Sequence, residues 1–323
     1  MQNYIVVDLE WNQSSSGKAG SNEKLTFEII EIGAVKLNEN FEKIDSFRRF
    51  IKPQVYKTMS IQSYAVTHLS MKDIQKAGIP FKQAVKEFLT WCGDDFIFCT
   101  WGESDIWELR RNMEYHEVSY KFPVPLLYYD IQKLFSLLYA AGKEKYSLEL
   151  AAEVLNLVLK DNFHQALADA EYTAEILRCL DFNEVKQYVS LDYYELPKNR
   201  DTIIKLVFDN YAKYVSSVFD SKEEAFSEKA VLETHCYKCG KKLRRKVRWF
   251  PFNTKVYYCL ANCSEHGIIK GRMRIKKSPD DRIFVVKILK IVGEKEAEEI
   301  INKKALVIKK RKERRRLQKD KEK

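Results

Sequence analysis

The stretch Tyr4-Ile5-Val6-Val7-Asp8-Leu9-Glu10-Trp11 is an apolar run that ends in two carboxylates spaced i, i+2. Its β-branched residues read as a strand, and on a strand that spacing points both side chains to one face. Side by side, the two carboxylates repel each other. A divalent cation between them removes the repulsion, so the pair marks a hard-metal site at a strand end.

The segments around it set the fold class. Glu28–Leu37, with its core Ile29-Ile30-Glu31-Ile32-Gly33-Ala34-Val35, reads as a second strand. The polar residues 13–24 read as a long hairpin loop, and Asp45–Ile51 as a third strand stopped by Pro53. Three consecutive strands imply an antiparallel start. Helices and strands then alternate. Apolar residues at 81, 84, 85, 88 and 89 predict a helix over 81–91, followed by helices over 104–115, 147–157 and 165–180. Short strands fit 95–100 and 126–130. The pattern predicts an α/β domain with a mixed five-stranded sheet flanked by helices, over residues 1–182. Residues 183–230 read as a charged helical connector, 231–290 as a separate small unit, and 291–323 as a basic tail. Positions 303–323 hold 12 Lys/Arg and 3 Asp/Glu, which predicts a frayed or solvated helix.

Charge divides the chain more sharply than its net +10 conveys. Residues 1–235 carry 27 Lys/Arg and 36 Asp/Glu, a balance of −9, and residues 236–323 carry 29 and 10, a balance of +19. The basic part has the field to attract a polyanion and the acidic part does not. The N-terminus begins directly on a strand pattern, and no apolar run reaches membrane-spanning length, so a cytoplasmic location and no membrane partner are expected. Seven cysteines, four of them clustered at metal-like spacing, argue against a disulfide framework.

Two further motifs complete the first. In Thr100-Trp101-Gly102-Glu103-Ser104-Asp105 a buried strand gives way to a helix, placing Asp105 in its first turn. In His164-Gln165-Ala166-Leu167-Ala168-Asp169-Ala170 the histidine stands at the mouth of the last helix, with Asp169 about one turn in. Taken singly, Asp105 reads as a helix cap and Asp8 and Glu10 as solvated strand-end polars. Together they are four acids and a histidine at element ends, where catalytic groups sit.

The order Asp-x-Glu, then Asp, then His-x-x-x-x-Asp, with Glu-Ile-Gly-Ala-Val on the second strand, resembles the DEDDh 3′–5′ exonucleases, and within them the KapD and Eri-1 types. The resemblance covers roughly residues 1–182 and implies an RNase H-like fold. It implies hydrolysis of phosphodiester bonds from the 3′ end of single-stranded nucleic acid, RNA favoured over DNA, with two Mg²⁺ or Mn²⁺ ions as cofactors. Asp8, Glu10 and Asp169 would hold the nucleophile-side ion, Asp8 would bridge to the second, and Asp105 would bind largely through water. Such an ion pair activates the water and relieves charge on both the attacking and leaving oxygens. His164 would be the general base, a side-chain type that titrates near neutrality. A single-stranded DNA exonuclease and a noncatalytic nucleic-acid-binding adaptor are the alternatives.

Several substrate contacts depart from the family pattern. Trp11 and Asn12 stand where a small Thr or Ser is common. The backbone of Leu9 and Glu10 is expected to reach the terminal 3′-OH, and Trp11 either stacks on a base or packs at the sheet margin. In Val66-Thr67-His68-Leu69, His68 replaces a glycine and either contacts the substrate backbone or tolerates the turn. Trp101 lies near the site or in the core. Glu31 marks a local structural contact, not a metal ligand.

In the basic part, Cys236-x2-Cys239-Gly240 is followed by Cys259-x3-Cys263, which resembles a zinc ribbon holding one structural Zn²⁺. The second spacing has three intervening residues where two are usual, so His266 or His235 is an alternative ligand. Strand-like 246–250 and 255–259 lie between the pairs. A unit this small has little core, and the metal is expected to supply much of its folding free energy. Lysines and arginines interleaved with Trp249, Phe250, Phe252, Tyr257 and Tyr258 make it a nucleic-acid-binding face or a solvated basic face over an aromatic core.

Overall fold

The structure, a computed structural model, describes residues 2–142, 144–158, 164–199, 201–278 and 280–321. The chain divides into two units, Met1–Tyr194 and Glu195–Lys323.

The first unit opens with β1 (Asn3–Asn12), β2 (Glu28–Leu37) and β3 (Lys43–Phe50), followed by α1 (Ile61–Thr67), α2 (Met71–Ala77) and α3 (Phe81–Cys92). It continues through β4 (Phe96–Thr100), α4 (Ser104–Tyr115), β5 (Leu127–Asp130), α5 (Ile131–Tyr139), α6 (Leu148–Val154), α7 (Ala166–Cys179), α8 (Phe182–Val185) and β6 (Ser190–Leu191). These strands form one mixed sheet in the order β3-β2-β1-β4-β5-β6. The α/β class and the flanked mixed sheet agree with expectation. The sixth strand is a two-residue edge piece, too short to register as an apolar run.

β1 lies inside the sheet, antiparallel to β2 and parallel to β4. Its odd residues Ile5, Val7 and Leu9 pack in one core with Phe81, Val85 and Phe88 of α3 and Ile106 and Leu109 of α4. Strand alternation therefore turns the even residues, Asp8 and Glu10 among them, to the other face. α7 lies on that face and comes close enough that a Cβ on Gly33, the partner of Asp8 in β2, would sit 2.1 Å from the Ala166 carbonyl carbon. Only glycine admits the start of α7 there.

The second unit is a larger body than the small module expected over 231–290. It contains β7 (Ile204–Val207), β8 (Tyr211–Val215), α9 (Lys222–Ser227), α10 (Lys229–Leu232), β9 (Arg245–Pro251), β10 (Val256–Cys263), β11 (Gly267–Lys277), β12 (Ile283–Ile291) and α11 (Glu294–Lys321). Its strands form an antiparallel sheet in the order β7-β8-β12-β11-β10-β9. Residues 183–230 are therefore not a helical connector. Their first part closes the first sheet as β6, and β7 and β8 form a hairpin of the second sheet. The alternation in Tyr211-Ala212-Lys213-Tyr214-Val215, after the turn residues Asp209 and Asn210, outweighs the charge that had favoured a helix.

Among the described residues this unit packs several apolar clusters. Tyr214, Phe219, Ala225, Val231, Met273 and Val285 form one; Val247, Phe250, Leu260, Val292, Ala297 and Ile300 form another. The basic tail thus starts as a packed helix, because Ala297 and Ile300 of α11 are buried. Among the described residues no helix is long and apolar enough to cross a membrane.

Candidate active site

Asp8 and Glu10 of β1 and Asp169 of α7 offer carboxylate oxygens that all lie within 4.8 Å of one another. The close approach of α7 to Gly33 is what brings Asp169 down onto the strand pair. Oδ2 of Asp169 accepts the backbone N–H of His164 at 3.1 Å, while its buried Oδ1 has no hydrogen-bond partner among the described residues. An all-oxygen donor set with an orphaned acceptor suits a hard divalent cation such as Mg²⁺ or Mn²⁺.

Asp105, in the first turn of α4, sits beside the trio. Its Oδ1 accepts the Leu9 N–H at 3.1 Å. Every one of these acids is held above the ordinary carboxylate range. For Asp8 the causes are burial, then the charges of Asp105, Glu10 and Asp169. Burial, then Asp169 and Glu31, pushes Glu10 up to about 8. Burial likewise drives Asp105 and Asp169 to about 7, against the opposing pull of the N–H donors of Leu9 and His164. The site is thus a store of carboxylate repulsion that cation binding would discharge.

His164 has its backbone in the left-handed region, at φ 66°. A non-glycine residue held there is strained, and such strain gathers at functional sites. Its Nε2 lies 3.5 Å from Oε1 of Glu149 on α6. The sequence carried no signal for Glu149, which is one of many acids on amphipathic helices. Glu31 is fully buried opposite Glu10, and Arg48 of β3 donates Nε to it at 2.6 Å. Burial raises the Glu31 carboxyl, and Arg48 and the Ala166 N–H pull it back. This agrees with a structural contact at the start of α7.

The expected substrate contacts are less uniform. Leu9 is buried and its N–H is taken by Asp105, so that amide is not available to a 3′-OH. Trp11 is half-buried against the core, its ring 5.7 Å from Phe27, after a register shift in the β1–β2 pairing. Asn12 ties down the following loop, donating to the Tyr56 and Thr58 carbonyls and accepting from Ser60 N. His68 is the exposed left-handed C-cap of α1, at φ 54°, which explains why a glycine would suit the position. Trp101 rests 6.1 Å from Phe135, with its buried Nε1 unpartnered among the described residues.

In the second unit, Cys236, Cys239, Cys263 and His266 offer ligand atoms within 4.8 Å of one another. Cys236 Sγ and Cys263 Sγ each lie 3.6 Å from His266 Nδ1, and Cys239 Sγ lies 3.7 Å from Cys263 Sγ. A tetrahedral zinc with ordinary bond lengths would set sulfur–sulfur edges of about 3.8 Å and sulfur–nitrogen edges of about 3.6 Å, so the residues fit the ion. Cys259 is not part of the cluster. It is buried in the sheet, 4.0 Å from Thr234 Oγ1, and burial pushes its thiol up to about 12. The cluster instead pairs Cys236-x2-Cys239 with Cys263-x2-His266, at the same two-residue spacing, where β10 turns into β11. No disulfide links any of the seven cysteines.

Residues 5–177 match the family model for RNase T, exonuclease. No curated protein gave a significant match. Among solved structures, the chain is similar to cell-death related nuclease 4 (CRN-4), at 18% identity over 59% of this chain and 67% of that one, with a TM-score of 0.48. It is similar to the nuclease domain of 3′hExo, a DEDDh family member bound to rAMP, at 18% identity over 59% and 96%, with a TM-score of 0.49. It is also similar to E. coli ExoI in complex with single-stranded DNA, at 12% identity over 80% and 54%, with a TM-score of 0.47.

Proposed function

The chain belongs to the RNase T exonuclease family, matched over residues 5–177, and from that premise we propose that it removes nucleotides from the 3′ end of single-stranded nucleic acid by metal-dependent hydrolysis. The observation that carries this reading is the convergence of Asp8, Glu10 and Asp169 within 4.8 Å, with one buried Asp169 oxygen unpartnered.

Asp8, Glu10 and Asp169, with Asp105 beside them, would hold the two Mg²⁺ or Mn²⁺ ions. When bound, such ions acidify the attacking water and offset charge at the reacting phosphate. His164 would take the proton of that water, with Oε1 of Glu149 3.5 Å from its Nε2. Leu9 fixes Asp105 through its N–H, so the strand that carries two of the acids also aims the third. RNA is proposed over DNA from the likeness of the motifs to the KapD and Eri-1 types.

The second unit would hold one structural zinc through Cys236, Cys239, Cys263 and His266, a set that leaves no open position for catalysis. Its charge suits it to holding the polyanionic substrate. Incubating 3′- and 5′-labelled RNA and DNA strands with Mg²⁺ tests the activity. The expected result is stepwise shortening from the 3′ end, faster on RNA and abolished in Asp8→Ala. Undiminished degradation by Asp8→Ala would sink the assignment, and faster loss of DNA would reverse the substrate preference.

A further inference from the structure

The second unit gathers cations around a cavity of about 510 Å³. Lys229, Lys242, Arg244, Arg245, Lys246 and Arg248 line it, against the single carboxylate of Glu233. Glu233 is already paired with Lys242, so the rest of the lining is positive and unopposed by acids within it. A neighbouring cavity of about 360 Å³ shares Leu232, Arg245 and Arg248 with the first. Phe226, Trp249 and Tyr257 wall it. The Phe226 and Tyr257 rings stand 4.8 Å apart and tilted by 58°.

The wall behind these cavities is built from the end of α10. Buried Lys287 donates Nζ to the carbonyls of Ala230, Val231 and Glu233 at 2.7, 3.0 and 2.7 Å. The remaining carbonyl, Leu232, accepts from Trp249 Nε1 at 2.9 Å and from the Arg245 guanidinium. Those acceptors are satisfied from the protein side, and Arg245 and Trp249 are held in place by the same contact. Lys246 and Arg248 project from β9, the edge strand of the sheet, with their side chains exposed.

We propose that the paired cavities are a nucleotide-binding subsite for single-stranded nucleic acid, in which Arg245, Lys246 and Arg248 meet backbone phosphate and Trp249 and Tyr257 receive a base. Cations release counterions from phosphate, and aromatic faces stack on any base. A strand offers charged phosphate and flat stacking bases side by side, and the cationic and the aromatic cavity share Leu232, Arg245 and Arg248. An acidic peptide offers the charge without the rings. An anionic membrane needs apolar groups that project, whereas here the aromatics wall a recess. The inference rests on the proposed substrate class, but it concerns retention and not cleavage.

Binding is therefore measured apart from cleavage, in full-length chain carrying Asp8→Ala, by anisotropy of a labelled RNA strand across a salt series. Lys246→Ala with Arg248→Ala should weaken binding roughly tenfold and flatten the dependence of log Kd on log salt by roughly 1.4, two phosphate contacts' worth on a single strand. The parent should prefer this strand over an abasic strand of equal length by roughly tenfold, and Tyr257→Leu should erase that preference. Should Tyr257→Leu melt early, the exposed Lys246 and Arg248 pair still decides the matter. The proposal is overturned by any of three results: unchanged binding in the double variant, equal binding of abasic and complete strands by the parent, or an equal loss from Lys309→Ala with Lys310→Ala on α11. Displacement of RNA by polyglutamate as readily as by unlabelled RNA would also overturn it. Cleavage of a 3′-labelled strand is followed separately, in the unsubstituted protein with Mg²⁺. Loss of that cleavage by the unsubstituted protein would instead refute the exonuclease reading.

Discussion

Leu9 donates its backbone N–H to Oδ1 of Asp105 at 3.1 Å, so the residue between the two β1 acids orients a third acid from a separate helix. The contact separates the charge of Asp105 from its role as an acceptor. Asp105→Asn can keep the hydrogen bond and lose the charge, whereas Asp105→Ala loses both. Both variants should lose most hydrolysis. Only Asp105→Ala should also lose about 1–3 kcal/mol of stability, the penalty of a buried donor left unsatisfied. Urea denaturation without divalent metal measures this, and equal destabilisation of the two variants would refute the orienting role.

The acids make a signed prediction about pH. Burial is the first cause in lifting Glu10 to about 8 and Asp105 and Asp169 to about 7. A carboxylate raised in the folded state holds its proton more tightly there than in the unfolded chain. Its contribution to stability is full below the ordinary carboxylate range, near about 4, and is lost as pH rises through roughly 7–8. The metal-free protein should therefore grow less stable across that window. Cation binding needs the ionised form, so stabilisation by Mg²⁺ should grow over the same window. Melting curves with and without Mg²⁺, taken across that range, read both trends. A Mg²⁺ effect independent of pH would contradict the site.

Much of the catalytic unit was legible because its signals are local. The apolar run of β1, the i, i+2 acids and the helical period of 81–91 each fall within a dozen residues. Helices α1 and α2 had local signals as well: Ser60 and Ser70 cap them by accepting the N–H of Ser63 and Asp73. Those helices are short and bury only Ser63, Thr67 and Ile74, so a reading led by hydrophobic period passes over them. Glu149 was not legible at all, because its pairing with His164 depends on how α6 lies against α7. Cys259 was misassigned for a physical reason. Spacing identifies cysteines that share a stretch of chain, but the strand buries Cys259 in the sheet while the β10–β11 turn brings His266 back to Cys263.

That correction is directly testable. Cys259→Ala should retain about one zinc per chain, whereas Cys236→Ser and His266→Ala should each lose most of it, since a structural site needs all four ligands. Zinc content of the purified proteins decides between the two ligand sets. Zinc lost from Cys259→Ala and retained by His266→Ala would restore the four-cysteine site. The second unit also has apolar cores away from the Cys/His cluster, so chelation should lower its melting temperature without unfolding it outright, unlike a zinc-dependent mini-domain.

Glu31 and Arg48 give the last prediction. Glu31 is fully buried, faces Glu10 across the β1–β2 pair, and touches the start of α7 through Ala166. Arg48 is its only charge partner among the described residues, at 2.6 Å. Arg48→Ala leaves a buried carboxylate unpaired beside three others, and should destabilise the unit by roughly 2–3 kcal/mol. That lies at or below the low end for buried pairs, because Arg48 is itself about one-third exposed. Glu31→Gln removes the stranded charge, so the double variant should recover most of the loss. It should also ease the repulsion on Glu10. A double-mutant cycle in urea reads the coupling, and Mg²⁺ titrated against stability reads its consequence for the metal site. Additive effects of the two substitutions would show that Glu31 and Arg48 do not act as a unit in seating α7.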